Sequence, residues 1–129
     1  MKKYDCIVVG AGPTGIYACY ELMRKCPELK VLLVDKGPDI LNRHCPILEK
    51  KIKKCPKNSK GNTGCYPNCS MTSGFGGCGA YSDGKFNITD EFGGWMNEYI
   101  PEEEVLELIR YVDDINLAKN KVSLSLLER

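Results

Sequence analysis

A strand that breaks into a glycine turn and resumes as a helix constrains this chain more than any other feature. "YDCIVVGAGPTG", Tyr4 to Gly15, places Gly10, Gly12 and Gly15 within six residues, behind an apolar run. Residues 4–9 read as a strand. From about Pro13 to Cys26 the spacing of Ile16, Cys19, Tyr20 and Met23 predicts a helix with those residues on its inner face, and Pro27 stops it. Residues 31–34, "VLLV", form a second strand whose unbroken apolar run suits a parallel strand buried on both faces. Strand, helix and strand in this order make a βαβ unit with an expected right-handed crossover.

The turn is suited to an anion. A helix N-terminus presents unpaired N–H groups and partial positive charge. Gly10 allows the tight turn, Gly12 removes a side chain that would block a pyrophosphate, and Gly15 lets the helix lie close to the strands. Pro13 suits the first helical position, where no N–H is needed, and Thr14 completes the turn before Gly15. The second strand ends in an acid, Asp35, 20 residues past Gly15, where a carboxylate can accept both hydroxyls of an adenosine ribose. That charge would repel a 2′-phosphate and disfavours NADP, an effect the adjacent Lys36 weakens. The bland alternative is a βαβ unit whose glycines serve packing alone. The expected fold class is α/β: a Rossmann-like βαβ FAD/NAD(P)-binding domain, incomplete, with a long Gly/Cys-rich segment facing the cofactor. The motif itself leaves FAD and NAD open.

Composition narrows the partners. A net charge of +1 provides no bulk field to select nucleic acid or an anionic membrane. No apolar run approaches the roughly 20 residues a membrane span requires. Lys2, Lys3, Tyr4 and Asp5 have the wrong pattern for a signal peptide, so a cytoplasmic location is expected. The eight cysteines are then mostly reduced thiols rather than a disulfide framework. At 129 residues the chain is one domain by length.

Between Gly37 and Asn87 no period of 2 or 3.6 is sustained. The basic part, Glu49 to Lys60, reads as a solvated loop or a short helix followed by one, the alternative being a lysine on phosphate. At the end of the irregular span the stretch Ser73 to Asn87 carries Gly74, Gly76, Gly77, Gly79 and Gly84, interleaved with Phe75, Tyr81 and Phe86. Such glycine density lets backbone N–H groups approach a flat ring or an anion; the bland alternative is a flexible surface loop, against which stand the aromatics that linkers lack. Order returns at Pro101, with Glu102, Glu103 and Glu104 suiting a helix N-terminus. That helix is expected to reach about Ile115. "KVSLSLL" beyond it alternates like a strand.

"RHCPILEKK", "GFGGCGAYSDGKFN", "GGWMNEYI" and "LIRYVDDI", in that order behind "GAGPTG", resemble the start of the uncharacterised FAD-dependent (NAD/FAD-utilising) dehydrogenases. The resemblance covers about residues 1–116 and sets residues 117–129 apart as an atypical tail: a truncation, a frameshifted end or a cloning scar. It implies FAD as cofactor, with NAD a possible electron donor or acceptor. It also implies a long segment wrapped over the flavin, with Gly76, Gly77, Gly79 and Ser82 lining the site and Arg43 at its phosphate or ribose. Members of such families run to several hundred residues and add a cap domain and a late glycine-acid strand. The expected function is therefore the FAD-binding part of a flavin-dependent oxidoreductase. The rivals are a dinucleotide-binding module without turnover and a cysteine-rich metal module. An unfinished sheet edge makes self-association an expectation as well.

Other side chains are weighed more briefly. Cys65 and Cys69 have a spacing allowed for zinc, and Cys55 and Cys78 could complete four thiolates. A redox disulfide between Cys65 and Cys69 and plain free thiols are the other readings. His44, the only histidine, is expected to be solvated, and Trp95 to be a core anchor.

Overall fold

The computed structural model describes residues 2–57, 61–91 and 93–127, with side chains as far as Ala118. Two compact units divide it, Met1–Asp83 and Gly84–Arg129. The division falls inside the stretch that sequence assigns to one domain.

The first unit is built on the βαβ frame: β1 (Cys6–Val9), α1 (Pro13–Lys25) and β2 (Val31–Val34). The strands pair in parallel, with Cys6 opposite Val31 and Val9 opposite Val34. β1 begins later than expected. Ahead of it the Asp5 N–H donates to Lys30 O at 2.9 Å, and the Asp5 carboxylate accepts the Lys30 N–H at 2.8 Å, so a side chain shares the pairing there with the backbone.

Burial departs from the expectation. β2 is half-buried throughout, and in β1 Ile7 is 60% and Val9 83% exposed. These strands are not covered on both faces, because α1 lies on one side only of a two-stranded sheet. On α1 the buried residue is Cys19, flanked by half-buried Gly15, Leu22 and Cys26. Ile16, Tyr20 and Met23, expected inside, are exposed. Paired strands sit about 5 Å apart, a narrower platform than a helix about 10 Å across. α1 therefore rests on a thin strip of its surface.

The second unit holds a short 3-10 turn, Met96–Glu98, and α2, Glu102–Leu127. The Pro101 carbonyl accepts the Glu104 and Val105 N–H groups at 3.0 and 3.1 Å and opens the helix, and Val105 is buried. Two expectations are corrected. Trp95 is 75% exposed and anchors no core. α2 runs past Ile115 and takes in the segment read as an alternating strand, so no element boundary separates the tail. No Gly or Pro interrupts residues 116–127, and once nucleated a helix propagates at little cost, whereas a lone strand has nothing to pair with. Among the described residues no helix is long and apolar enough to cross a membrane.

Candidate dinucleotide site

The site lies where β1 hands over to α1. Gly10 donates its N–H to Val34 O at 2.7 Å, which locks the turn onto the end of β2. The first helical bond runs from Ile16 N–H to Gly12 O at 3.0 Å. Pro13 has no N–H, and Thr14 and Gly15 donate to no described residue. Their N–H groups are free for an outside acceptor, and no acidic side chain in the first turn competes for that place.

The helical glycines of the turn have different reasons to be glycine. A Cβ on Gly15 would overlap the carbonyl oxygen of Gly10, so helix and turn touch there backbone to backbone. A Cβ on Gly12 would meet nothing within 4 Å, and its φ of −73° and ψ of 179° suit any residue. Packing accounts for Gly15. It does not account for Gly12, whose missing side chain leaves open space beside the helix N-terminus.

Asp35 is a hub. Its Oδ2 accepts from Ala11 N–H at 2.8 Å, and its Oδ1 accepts from Gly37 N–H and Gly74 N–H, each at 2.8 Å. The Ala11 bond, then the Gly37 bond, hold the carboxyl below its ordinary value of 3.8 against partial burial, with Gly74 and nearby Lys36 helping. A carboxylate offers about four lone-pair positions. Three are taken by the chain, which leaves room for one further donor. Lys36 is exposed beside it, and its carbonyl accepts from Asn68 Nδ2 at 3.0 Å.

The second glycine segment crosses the ends of both strands. Phe75 N–H reaches Pro38 O at 3.2 Å, and Gly76 N–H reaches Ala11 O at 2.8 Å. A Cβ on Gly37 would overlap the Gly74 nitrogen. A Cβ on Gly77 would lie 2.9 Å from Gly12 Cα, and one on Gly79 3.2 Å from Pro13 Cγ. Gly76, Gly77 and Gly79 are thus brought against the glycine turn, and Gly77 and Gly79 turn their bare Cα toward Gly12 and Pro13. Ser82 caps the 3-10 turn Gly77–Tyr81 through its N–H to Gly79 O at 3.1 Å and is exposed.

Arg43, which the resemblance puts at the phosphate or ribose, is held by backbone carbonyls. It is 6% exposed. Its Nε and Nη2 donate to Ser70 O at 2.9 and 2.6 Å, and its Nη1 to Phe75 O at 2.7 Å. The guanidinium carbon sits 4.9 Å from the Tyr81 ring centroid, and the Tyr81 hydroxyl donates to Arg43 O at 3.2 Å. The cation clamps the loop that carries Gly74 and Gly76. The sequence marked Asp35 and Arg43 as site residues but not as hubs of the loop, because their partners lie far along the chain.

The remaining candidates are dispersed. His44 is exposed and bonds Glu49 at 2.8 Å, as expected of a solvated side chain, and Lys51 shares that carboxylate. Residues 50–57 of the basic stretch are exposed, and residues 58–60 lie outside the described residues. All eight cysteines are free thiols, and Cys78 is exposed. Among the described residues no three His, Cys, Asp or Glu side chains are placed to hold one metal ion, so the set of Cys55, Cys65, Cys69 and Cys78 does not assemble.

Comparison with known proteins supports the same frame. The model of an NAD(P)-binding Rossmann-like domain family matches residues 8–42. An uncharacterised protein of Methanosarcina barkeri is 50% identical over 36 residues, 28% of this chain and 9% of the relative. The chain thus matches a small part of that relative's length. No solved structure matches. Strand, glycine turn, helix and acid-terminated strand are together a Rossmann-type dinucleotide-binding α/β segment.

Proposed function

We propose that this chain is the FAD-binding part of a flavin-dependent oxidoreductase, with the diphosphate at the N-terminus of α1 and the adenosine ribose at Asp35. The observation that carries this reading is Gly12, a glycine with open space where its side chain would be and no packing reason to be one. The preference for FAD over NAD rests on the resemblance of the second glycine segment to FAD-dependent dehydrogenases. A bound flavin supplies the hydride and electron transfer chemistry.

The chain's own residues bind and orient. Thr14 and Gly15 offer their N–H groups to the diphosphate. Asp35, kept ionised by three backbone donors, accepts one ribose hydroxyl at its remaining lone pair and repels a 2′-phosphate. Arg43 positions the loop beside the turn through Ser70 O and Phe75 O.

Calorimetry tests this. ADP and FAD are expected to bind and NADP to bind at least tenfold more weakly than NAD, about 1.4 kcal/mol. Gly12→Val is expected to abolish binding and leave the circular dichroism spectrum unchanged. Absence of heat with ADP, FAD and NAD alike overturns the reading. The uncovered Ile7 and Val9 favour a second reading, a module that binds the ADP half without turnover and self-associates through its open sheet. A colourless protein that binds ADP and sediments as an oligomer would support that one; stoichiometric reducible flavin absorbance would support the first.

A further inference from the structure

The carboxylate at the end of β2 is unevenly loaded. Asp35 Oδ1 accepts both the Gly37 and the Gly74 N–H at 2.8 Å, and Oδ2 accepts only the Ala11 N–H, also at 2.8 Å. A carboxylate oxygen has room for about two donors. Oδ1 is therefore full, and the remaining place is on Oδ2. Of the two donors on Oδ1, Gly37 is tethered by sequence, since it follows the acid closely. Gly74 is held there by the fold. Its own Cβ would lie 2.5 Å from Pro38 O and 3.0 Å from Arg43 Cδ, and its φ is +111°. Its carbonyl accepts the Gly77 N–H at 2.9 Å. Next to it, Phe75 donates to Pro38 O at 3.2 Å and gives its carbonyl to Arg43 Nη1 at 2.7 Å. Before it, Ser70 O takes Arg43 Nε and Nη2 at 2.9 and 2.6 Å. One buried planar cation thus spans both ends of residues 70–75 while the Gly74 N–H meets the acid.

We infer that Arg43 is a positioning residue for ribose recognition: by holding the Gly74 N–H on Asp35 Oδ1, it restricts the acid to a single ribose hydroxyl, read by Oδ2. This deepens the reading of Asp35 as the ribose acid and rests on it. The ligand class is an adenine ribonucleotide, alone or as half of a dinucleotide, one of whose ribose hydroxyls goes unread by Asp35. A carboxylate with both oxygens open takes both hydroxyls. A lysine in place of Arg43 keeps the charge but lacks the planar fork that bridges two carbonyls. Gly74 then loosens, and Oδ1 opens to the second hydroxyl.

Calorimetry on the full chain compares ADP with its 2′-deoxy and 3′-deoxy forms. One analogue is expected to bind about tenfold more weakly than ADP, having lost a hydroxyl on a charged acceptor, and the other within about twofold of ADP. In Arg43→Lys the second analogue is expected to weaken too, by about fivefold relative to ADP. A loss of packing alone weakens ADP and both analogues by one factor and leaves their ratios unchanged. Amide hydrogen exchange reads the clamp without nucleotide: in Arg43→Lys the Gly74 N–H is expected to exchange about tenfold faster, and the Gly37 N–H at its parent rate. Should that variant fail to fold, Tyr81→Phe, which removes only the hydroxyl on Arg43 O, is expected to speed Gly74 exchange several-fold. The inference is overturned if both analogues lose equally in the parent, if neither loses, if the ratios in Arg43→Lys match the parent's, or if Gly74 exchange does not move. Absence of heat with ADP overturns the nucleotide reading itself, and this inference with it.

Discussion

The two glycine-rich regions share a composition but not a use. In the turn Gly10–Gly15 the glycines divide the labour: Gly15 brings helix and turn into backbone contact, and Gly12 leaves space open. In the segment Gly74–Gly79 the missing side chains are filled by protein, with Gly74 against the Pro38 carbonyl and Arg43, and Gly77 and Gly79 against Gly12 and Pro13. A glycine whose absent side chain meets packed backbone is there for the fold. One whose absent side chain meets nothing, at ordinary dihedral angles, is there for something else. That difference separates the proposed binding turn from the wall beside it.

The largest effect that sharpens this contrast is expected at Gly15. Gly15→Val drives a side chain into the Gly10 carbonyl and is expected to cost about 3 kcal/mol or more in urea unfolding. Asp35→Asn should follow. Its amide presents one acceptor where the carboxylate had two, so at least one of the Ala11, Gly37 and Gly74 N–H groups loses its partner, at about 2 kcal/mol. The same carboxylate sets an acid limit. Its folded value lies below 3.8, so its contribution is complete above 3.8 and is lost as pH falls through the lower folded value. An acid titration followed by circular dichroism should show this slope in the parent and lack it in Asp35→Asn.

Gly77→Ala tests the wall. At φ +53° an L-residue is strained, and its Cβ would press on Gly12 Cα, so a loss of about 2 kcal/mol is expected. The smallest effect on stability is expected at Gly12. Gly12→Val should change it by less than about 0.5 kcal/mol while removing nucleotide binding. A large loss of stability at Gly12, or a small one at Gly77, would break the contrast.

Much of this was legible in the residues. Strand, turn, helix and strand fell close to where spacing placed them, because short-range periodicity and turn chemistry act within a few residues. Inner faces were less legible. Ile16, Tyr20 and Met23 have helical spacing, but which stripe of a helix is buried depends on what it lies against, and here the platform is two strands wide. Trp95 shows the same lesson, since an aromatic side chain is buried only when some element comes to cover it. α2 overran its expected end because nothing local stopped it.

By itself, the sequence determined the βαβ frame, the glycine turn at the helix start and the acid at the end of β2, all set by neighbours within a turn or a strand length. Only the tertiary structure decided what the acid and the arginine do. Asp35 gathers N–H groups from residues 11, 37 and 74, the last 39 positions away, and Arg43 reaches carbonyls 27 and 32 positions away. A buried charge must find partners, but every residue other than proline carries the same backbone donor and acceptor. Which of them answers is settled by the path of the chain.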